Sequence, residues 1–344
     1  MKRYILRFFQ KTSFINMCIG VGLFCLGGVV IPFVYARIYT TTGTSSADTG
    51  STPTRLAQNQ YSLINPLLLC STEQNTSSID FSLQKKISSF IQDRISKGDM
   101  TDMSVYIQEY GLGKWLGVNE NTRYDPASLL KVPLMIAYYQ LSEKDPGILS
   151  RQTSFTGTDQ NIGEYFRSPY DIVPGKMYSI DQLITSMIVN SDNTAVTLLS
   201  NYVSKSSLID VYTDLGLPIP SDDPSPQYIS AKSYAYFFRI LYNATYLNRA
   251  DSEKALTLLS QSHLPNGIAS AVPEATTVAD KFGERTAYDA SGAVLYRELH
   301  DCGIVYKANS PYLLCIMSKG NDFNQLAQNI HDLSALVYTN VTKR

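Results

Sequence analysis

The pattern of apolar and polar positions divides the chain into three stretches. From Thr12 to Ala36 no charged residue occurs, and the run between Phe14 and Val34 is strongly apolar. As a helix, these 25 residues reach roughly 37 Å, enough to cross a hydrocarbon core of about 30 Å. Between Thr40 and Thr54, twelve of fifteen positions are Thr, Ser or Gly, a composition that buries no apolar surface and predicts a flexible tether. The remainder has the periodicities of a folded domain. Leu83, Ile87, Phe90, Ile91 and Ile95 recur at helical spacing, and Gly98 ends the run. Residues 103–110 and 114–118 alternate like strands on either side of Gly111-Leu112-Gly113, which predicts a hairpin. Residues 126–262 read as mostly helical. Within them Ser179 and Gln182 have the form of a capping box, and Ser230 is placed to cap a Tyr- and Phe-rich helix running to about Leu247. Strands return at 277–282, 294–298, 302–306 and 312–318, and a helix over 324–338 closes the chain.

This order predicts an α/β (α+β) fold. Strands from both ends form one mainly antiparallel sheet, with the terminal helices on one face and a helical insert beside it. The expected organisation is a basic tail over residues 1–11, a transmembrane anchor or signal segment over 12–36, a linker over 37–60 and a single domain over 61–344. There is no internal repeat and no glycine-rich phosphate loop.

Charge sharpens this division. The chain has 29 Lys and Arg against 30 Asp and Glu, and it is 44% hydrophobic and 17% charged. Those figures exclude a disordered, collagen-like or coiled-coil protein, and without a basic excess no nucleic-acid partner is expected. A mean hydropathy of −0.10 excludes a multi-span membrane protein. The near-neutral total conceals an asymmetry: Lys2, Arg3, Arg7 and Lys11 give the first 36 residues a charge of +4, which leaves −5 on the rest. A basic flank before an apolar run predicts an amino terminus inside, the following chain outside and a membrane partner for the helix. The competing reading is a signal peptide cleaved after Val34-Tyr35-Ala36, which would leave the domain secreted. Cys18 and Cys25 lie in the apolar run, whereas Cys70, Cys302 and Cys315 lie in the exported part, where one disulfide is permitted but its pairing does not follow from sequence. His263, His300 and His331 are scattered and no ligand spacing occurs, so neither a metal nor a cofactor is expected.

The candidate chemistry lies in the stretch from Asp125 to Tyr138. Ser128 and Lys131 are three residues apart and share a helix face, and nearly every later position is apolar. An amine at the start of so apolar a helix is costly unless it sheds its charge. A desolvated lysine can accept the proton of a nearby hydroxyl and make the serine a nucleophile. Bringing the amine from about 10.4 towards 7 takes roughly 4 kcal/mol of differential interaction. Spacing alone is weak, because Ser82 and Lys85 repeat it on the first amphipathic helix, where Lys85 is expected to face water. Two further elements supply context. Ser191-Asp192-Asn193 occupies a short break between predicted helices, and Lys281-Phe282-Gly283 lies on a predicted strand. Taken singly, these read as an ordinary turn and a strand end.

In this order and setting, the three elements resemble the signature of the penicillin-recognising serine hydrolases, the class A β-lactamases and penicillin-binding proteins. The resemblance extends over about residues 79–339. It implies a serine acyl-enzyme with a β-lactam or a peptidoglycan stem peptide as substrate. Ser128 would attack the amide carbonyl, Lys131 would take or relay its proton, and Ser191 would protonate the leaving nitrogen with help from Lys281. Asn193 would hold the substrate's amide, and the oxyanion would sit between the backbone N–H groups of Ser128 and Glu284, the residue after Gly283.

Two positions depart from the family pattern. Phe282 replaces the hydroxyl residue of the Lys-Thr-Gly triplet, which removes a donor to a substrate carboxylate. The stretch 216–228, where class A enzymes carry a water-activating glutamate, holds only Asp222 and Asp223 as acids. Glu164 precedes Ser191 and falls outside the expected place. Slow deacylation follows from the resemblance. A non-catalytic cell-envelope binding or scaffolding domain with a degenerate fold is the alternative.

Overall fold

A computed structural model describes residues 54–55, 60–69, 81–110, 114–169, 172–219, 228–262 and 264–341. All belong to one compact unit, Thr52–Arg344. The expected anchor and the segment between it and Thr54, with Cys18, Cys25, Cys70, His263, Asp222, Asp223 and the turn at 111–113, lie outside the described residues. Among the described residues, no helix is long and apolar enough to cross a membrane.

The domain opens with helix α1 (Phe81–Ser96), which buries Leu83, Ile87 and Ile91 as a stripe at four-residue spacing. Ile95, expected on the same stripe, is instead exposed. The helix stops before Gly98, whose φ of +79° suits glycine. Strands β1 (Asp102–Glu109) and β2 (Lys114–Val118) form the expected antiparallel hairpin. Among the described residues seven helices then follow, with three strands of the main sheet set between the last two of them: α2 (Lys131–Lys144), α3 (Ile180–Val189), α4 (Asn193–Ser200), α5 (Lys205–Asp214), α6 (Ala231–Asn243), α7 (Arg249–Leu259) and, after β3 (Val278–Tyr288), β4 (Val294–Val305) and β5 (Tyr312–Gly320), the closing α8 (Phe323–Asn340). The capping box at Ser179 and Gln182 is present, and Ser230 caps α6. Helix α6 ends at Asn243 rather than near Leu247, because Ala244 turns into the left-handed region.

The sheet has five strands in the order β2-β1-β5-β4-β3, every neighbouring pair antiparallel. Its middle strand β5 is apolar and buried from Tyr312 to Met317 because both faces are covered. On β5, Leu313, Cys315 and Met317 pack with the helical insert, whereas Tyr312, Leu314 and Ile316 pack with α1 and α8. The insert therefore covers the face opposite the terminal helices instead of lying beside the sheet. Two predicted strands, 294–298 and 302–306, are parts of the single strand β4. Their apparent separation in sequence comes from His300 and Asp301, which are polar but fully buried. Cys302 and Cys315 face each other on β4 and β5 with Cα atoms 3.9 Å apart and are joined by a disulfide.

Candidate active site

Ser128 sits on a short 3-10 turn, Ala127–Leu130, that runs directly into α2. The turn is sharp. Ala127 has φ of +48°, an unfavourable value for a residue with a Cβ, and such geometry persists only where surroundings over-determine it. Here they do. Asp125 Oδ1 accepts the Ala127 N–H at 2.8 Å, and the Asp125 carboxylate pairs with Arg285. Tyr234 donates to the Leu129 carbonyl at 2.8 Å. His300 Nδ1 accepts the Ser318 N–H at 3.3 Å, which leaves Nε2 to donate to the Asp125 carbonyl at 2.8 Å. Burial lowers the His300 pKa to about 3, so this imidazole stays neutral and acts as a fixed strut. Gly283 on β3 completes the support: a Cβ there would stand 2.7 Å from the Pro126 carbonyl oxygen and 3.0 Å from the Leu129 nitrogen. Only glycine lets the edge strand approach the turn this closely.

From Lys131 to Tyr139 every residue of α2 is buried, so the helix is a core element with the amine at its dry end. Lys131 Nζ donates to Ser128 Oγ at 2.8 Å, to the Ser191 carbonyl at 2.5 Å and to Ser191 Oγ at 3.0 Å. Ser191 too is left-handed, with φ of +54°, which turns both its oxygens towards the amine. Asp192 holds this arrangement. Its carboxylate caps α4 through the Thr194 and Ala195 N–H groups and also accepts from Ser186 Oγ, Asn161 Nδ2 and the Ile172 N–H. The acid of the Ser191-Asp192-Asn193 triplet is thus a structural hub.

Lys281 Nζ reaches Ser191 Oγ from the other side at 3.1 Å and donates to the Phe282 carbonyl at 3.0 Å. Four side chains therefore form a continuous hydrogen-bonded line: Ser128, Lys131, Ser191, Lys281. Burial, followed by the proximity of the Lys281 charge, lowers the Lys131 pKa to about 7. Burial also lowers Lys281, but Asp280 and Asp301 beside it limit the fall to about 8. An amine near 7 is balanced to take a hydroxyl proton and return it.

The opposite wall is acidic. Asn193 Nδ2 donates to Glu164 Oε1 at 2.6 Å, and the Glu284 carboxylate accepts the N–H groups of Tyr165 at 3.2 Å and Phe166 at 2.9 Å. Burial raises the Glu284 pKa to about 7, and the neighbouring Glu164 carboxyl adds to the rise. Phe282 packs edge-to-face against Phe166, ring centres 6.2 Å apart. Among the described residues, no group of three or more His, Cys, Asp or Glu is gathered as a metal site.

All seven candidate residues are brought together here: Ser128, Lys131, Ser191 and Lys281 in the line, Asn193 at the start of α4, and Gly283 and Glu284 on β3 against the nucleophile turn. The competing Ser82 and Lys85 pair lies on α1 with both residues exposed. Glu164, which in sequence falls outside the expected place, is set by the fold on Asn193, and His300, one of three histidines scattered in sequence, is set against Asp125. Nothing local marks either, because each contact joins residues 29 or more apart in the chain.

The fold, an antiparallel sheet with helices on both faces, is of the β-lactamase type. The profile of the beta-lactamase enzyme family matches residues 83–341, and the chain belongs to that family. No curated protein is significantly similar by sequence. Among solved structures, PBP-A superposes with a TM-score of 0.60 at 18% identity, covering 75% of this chain and 95% of its own. A β-lactamase from Chitinophaga pinensis gives 0.64 at 16% identity, over 76% and 100% of the two chains. A class A β-lactamase from Mycobacterium abscessus gives 0.61 at 16%, over 75% and 98%. At these identities the likeness is one of fold.

Proposed function

We propose that this chain is a serine acyl-enzyme hydrolase acting on the amide of a β-lactam or a D-alanyl peptide, with slow deacylation. The observation that carries the reading is the unbroken line from Ser128 Oγ through Lys131 Nζ and Ser191 Oγ to Lys281 Nζ, at 2.8, 3.0 and 3.1 Å. Ser128 Oγ attacks the carbonyl carbon while its proton passes to the neutral amine of Lys131. As the C–N bond breaks, Ser191 gives its proton to the leaving nitrogen and regains one from Lys131, so the proton lost by Ser128 ends on the amine product. Lys281 keeps its charge next to Ser191 and favours this direction of transfer. Asn193 holds the substrate's amide. The N–H groups of Ser128 and Glu284 stabilise the oxyanion, each such donor being worth about 3–4 kcal/mol.

The stretch 216–228 contains no glutamate to activate water, so the acyl-enzyme is expected to persist. Among proteins of similar fold, a variant of PBP-A is captured as an acyl-enzyme with penicillin G. The basic flank and apolar run of residues 1–36 support export of the domain, towards β-lactams or the stem peptides of peptidoglycan. The alternative of a non-catalytic binding domain explains less well why two buried amines are kept in line with two serines.

The test is incubation of the protein with a fluorescent penicillin, followed by gel and mass spectrometry. A single slowly released adduct on Ser128 is expected. Labelling of Ser128→Ala to the same extent as the wild type refutes the assignment.

A further inference from the structure

The segment before the Ser191-Asp192-Asn193 triplet bridges Asn193 on α4 and Glu284 on β3. Both its ends are held by Asp192, through Asn161 Nδ2 at 3.1 Å and the Ile172 N–H at 3.2 Å. Its tip, residues 162–168, is held differently. Glu284 on β3 reaches across and accepts the Tyr165 and Phe166 N–H groups, and Phe166 stands edge-to-face on Phe282 and Phe323. Tyr165 Oη accepts from Asn324 Nδ2 at 2.5 Å. Beneath the tip, the cavity bounded by Glu164, Phe166, Ser191, Phe282 and Glu284 has a volume of about 10 Å³, room for one water. Asn193, the residue suited to hold a substrate amide, has its donor taken by Glu164 at 2.6 Å.

We infer that residues 162–168 are a built-in latch: Glu164 occupies the substrate's place on Asn193, Glu284 and Phe282 hold the tip shut, and acylation of Ser128 requires the latch to open. The inference rests on the reading of Asn193 and Ser128 given above. It also accounts for the two unusual residues of β3. Phe282 forgoes a hydroxyl and supplies the apolar seat for Phe166. Glu284 supplies a carboxylate that no oxyanion role requires, and its side chain is the clasp. A substrate must therefore displace the Glu164–Asn193 hydrogen bond before it gains its own, which makes Glu164 an internal competitor that lowers the rate towards every amide substrate and excludes those too weak to displace it.

Two readouts on the full chain test the latch. Hydrogen exchange of the 162–168 peptide reports closure without any ligand. It should be slow in the wild type and faster by about tenfold in Glu284→Ala and in Phe166→Ala, each of which removes one hold. Labelling by a fluorescent penicillin should be about tenfold faster in Glu164→Ala, which frees Asn193. An unchanged melting transition establishes that each variant folds, and Phe166→Ala carries the exchange arm if Glu284→Ala does not fold. Exchange that is already fast in the wild type, or unchanged in the folded variants, overturns the latch whatever labelling shows. Labelling of wild type and Glu164→Ala at equal rates overturns it as well. If exchange behaves as expected but no form is labelled at all, only the closure of 162–168 is upheld, and the acylation reading fails together with the gating that rests on it.

Discussion

The chain contains the same serine–lysine spacing twice, and the two copies have little in common beyond it. Ser82 and Lys85 lie on the solvent side of α1, opposite the buried stripe of Leu83, Ile87 and Ile91, where water solvates the ammonium. Ser128 and Lys131 begin α2, which is buried from Lys131 through Tyr139, and their amine meets a second cation at a shared hydroxyl. Desolvation disfavours the charged amine, and the neighbouring cation disfavours it further. The spacing only brings the two side chains to one face. The dry surroundings and the second lysine make the pair chemical.

The strongest way to break this comparison is to remove each lysine. Lys131→Ala is expected to slow labelling of Ser128 by about 10²–10⁴-fold, the usual worth of a positioned base. Lys85→Ala should leave labelling unchanged, and a loss of labelling there would remove the distinction between the copies. Next in size, Ser191→Ala interrupts the line between the two amines and should cost about 10²-fold in acylation rate, measured under single-turnover conditions. A smaller effect is expected at Gly283. Gly283→Ala places a Cβ 2.7 Å from the Pro126 carbonyl oxygen, a backbone atom that cannot rotate away. Overpacking of this kind costs about 1–3 kcal/mol, read from a denaturant melt, and should slow labelling by displacing the nucleophile turn.

The two halves of the site differed in how far they could be read from the sequence. Ser128 and Lys131 are legible because they lie three residues apart, and the Ser191-Asp192-Asn193 triplet because it is contiguous, each in a setting marked by apolar runs and caps. The hairpin, the capping box at Ser179 and the closing helix are legible for the same local reason. Glu164 and His300 are not, since their roles arise only when distant segments meet at Asn193 and Asp125. Strand β4 reads as two because burial of His300 and Asp301 is satisfied across the sheet and by the Ile268 N–H, partners that no periodicity reveals. Phe282 appears in sequence as the loss of a hydroxyl. In the fold it gains a contact, the seat of Phe166.

The central claim is that Lys131 serves Ser128 as a neutral amine, and the pH dependence of acylation tests it most directly. With Lys131 lowered to about 7, the active form is lost as pH falls below that value; with Lys281 near 8, the charge beside Ser191 is lost as pH rises above it. Because the two amines interact, the limbs belong to the pair. The second-order rate of penicillin labelling, measured from pH 5 to 10 at constant ionic strength, should rise through about pH 7 and decline above about pH 8. A rate that is flat across this range, or that keeps rising towards the pKa of an ordinary lysine, would contradict the account.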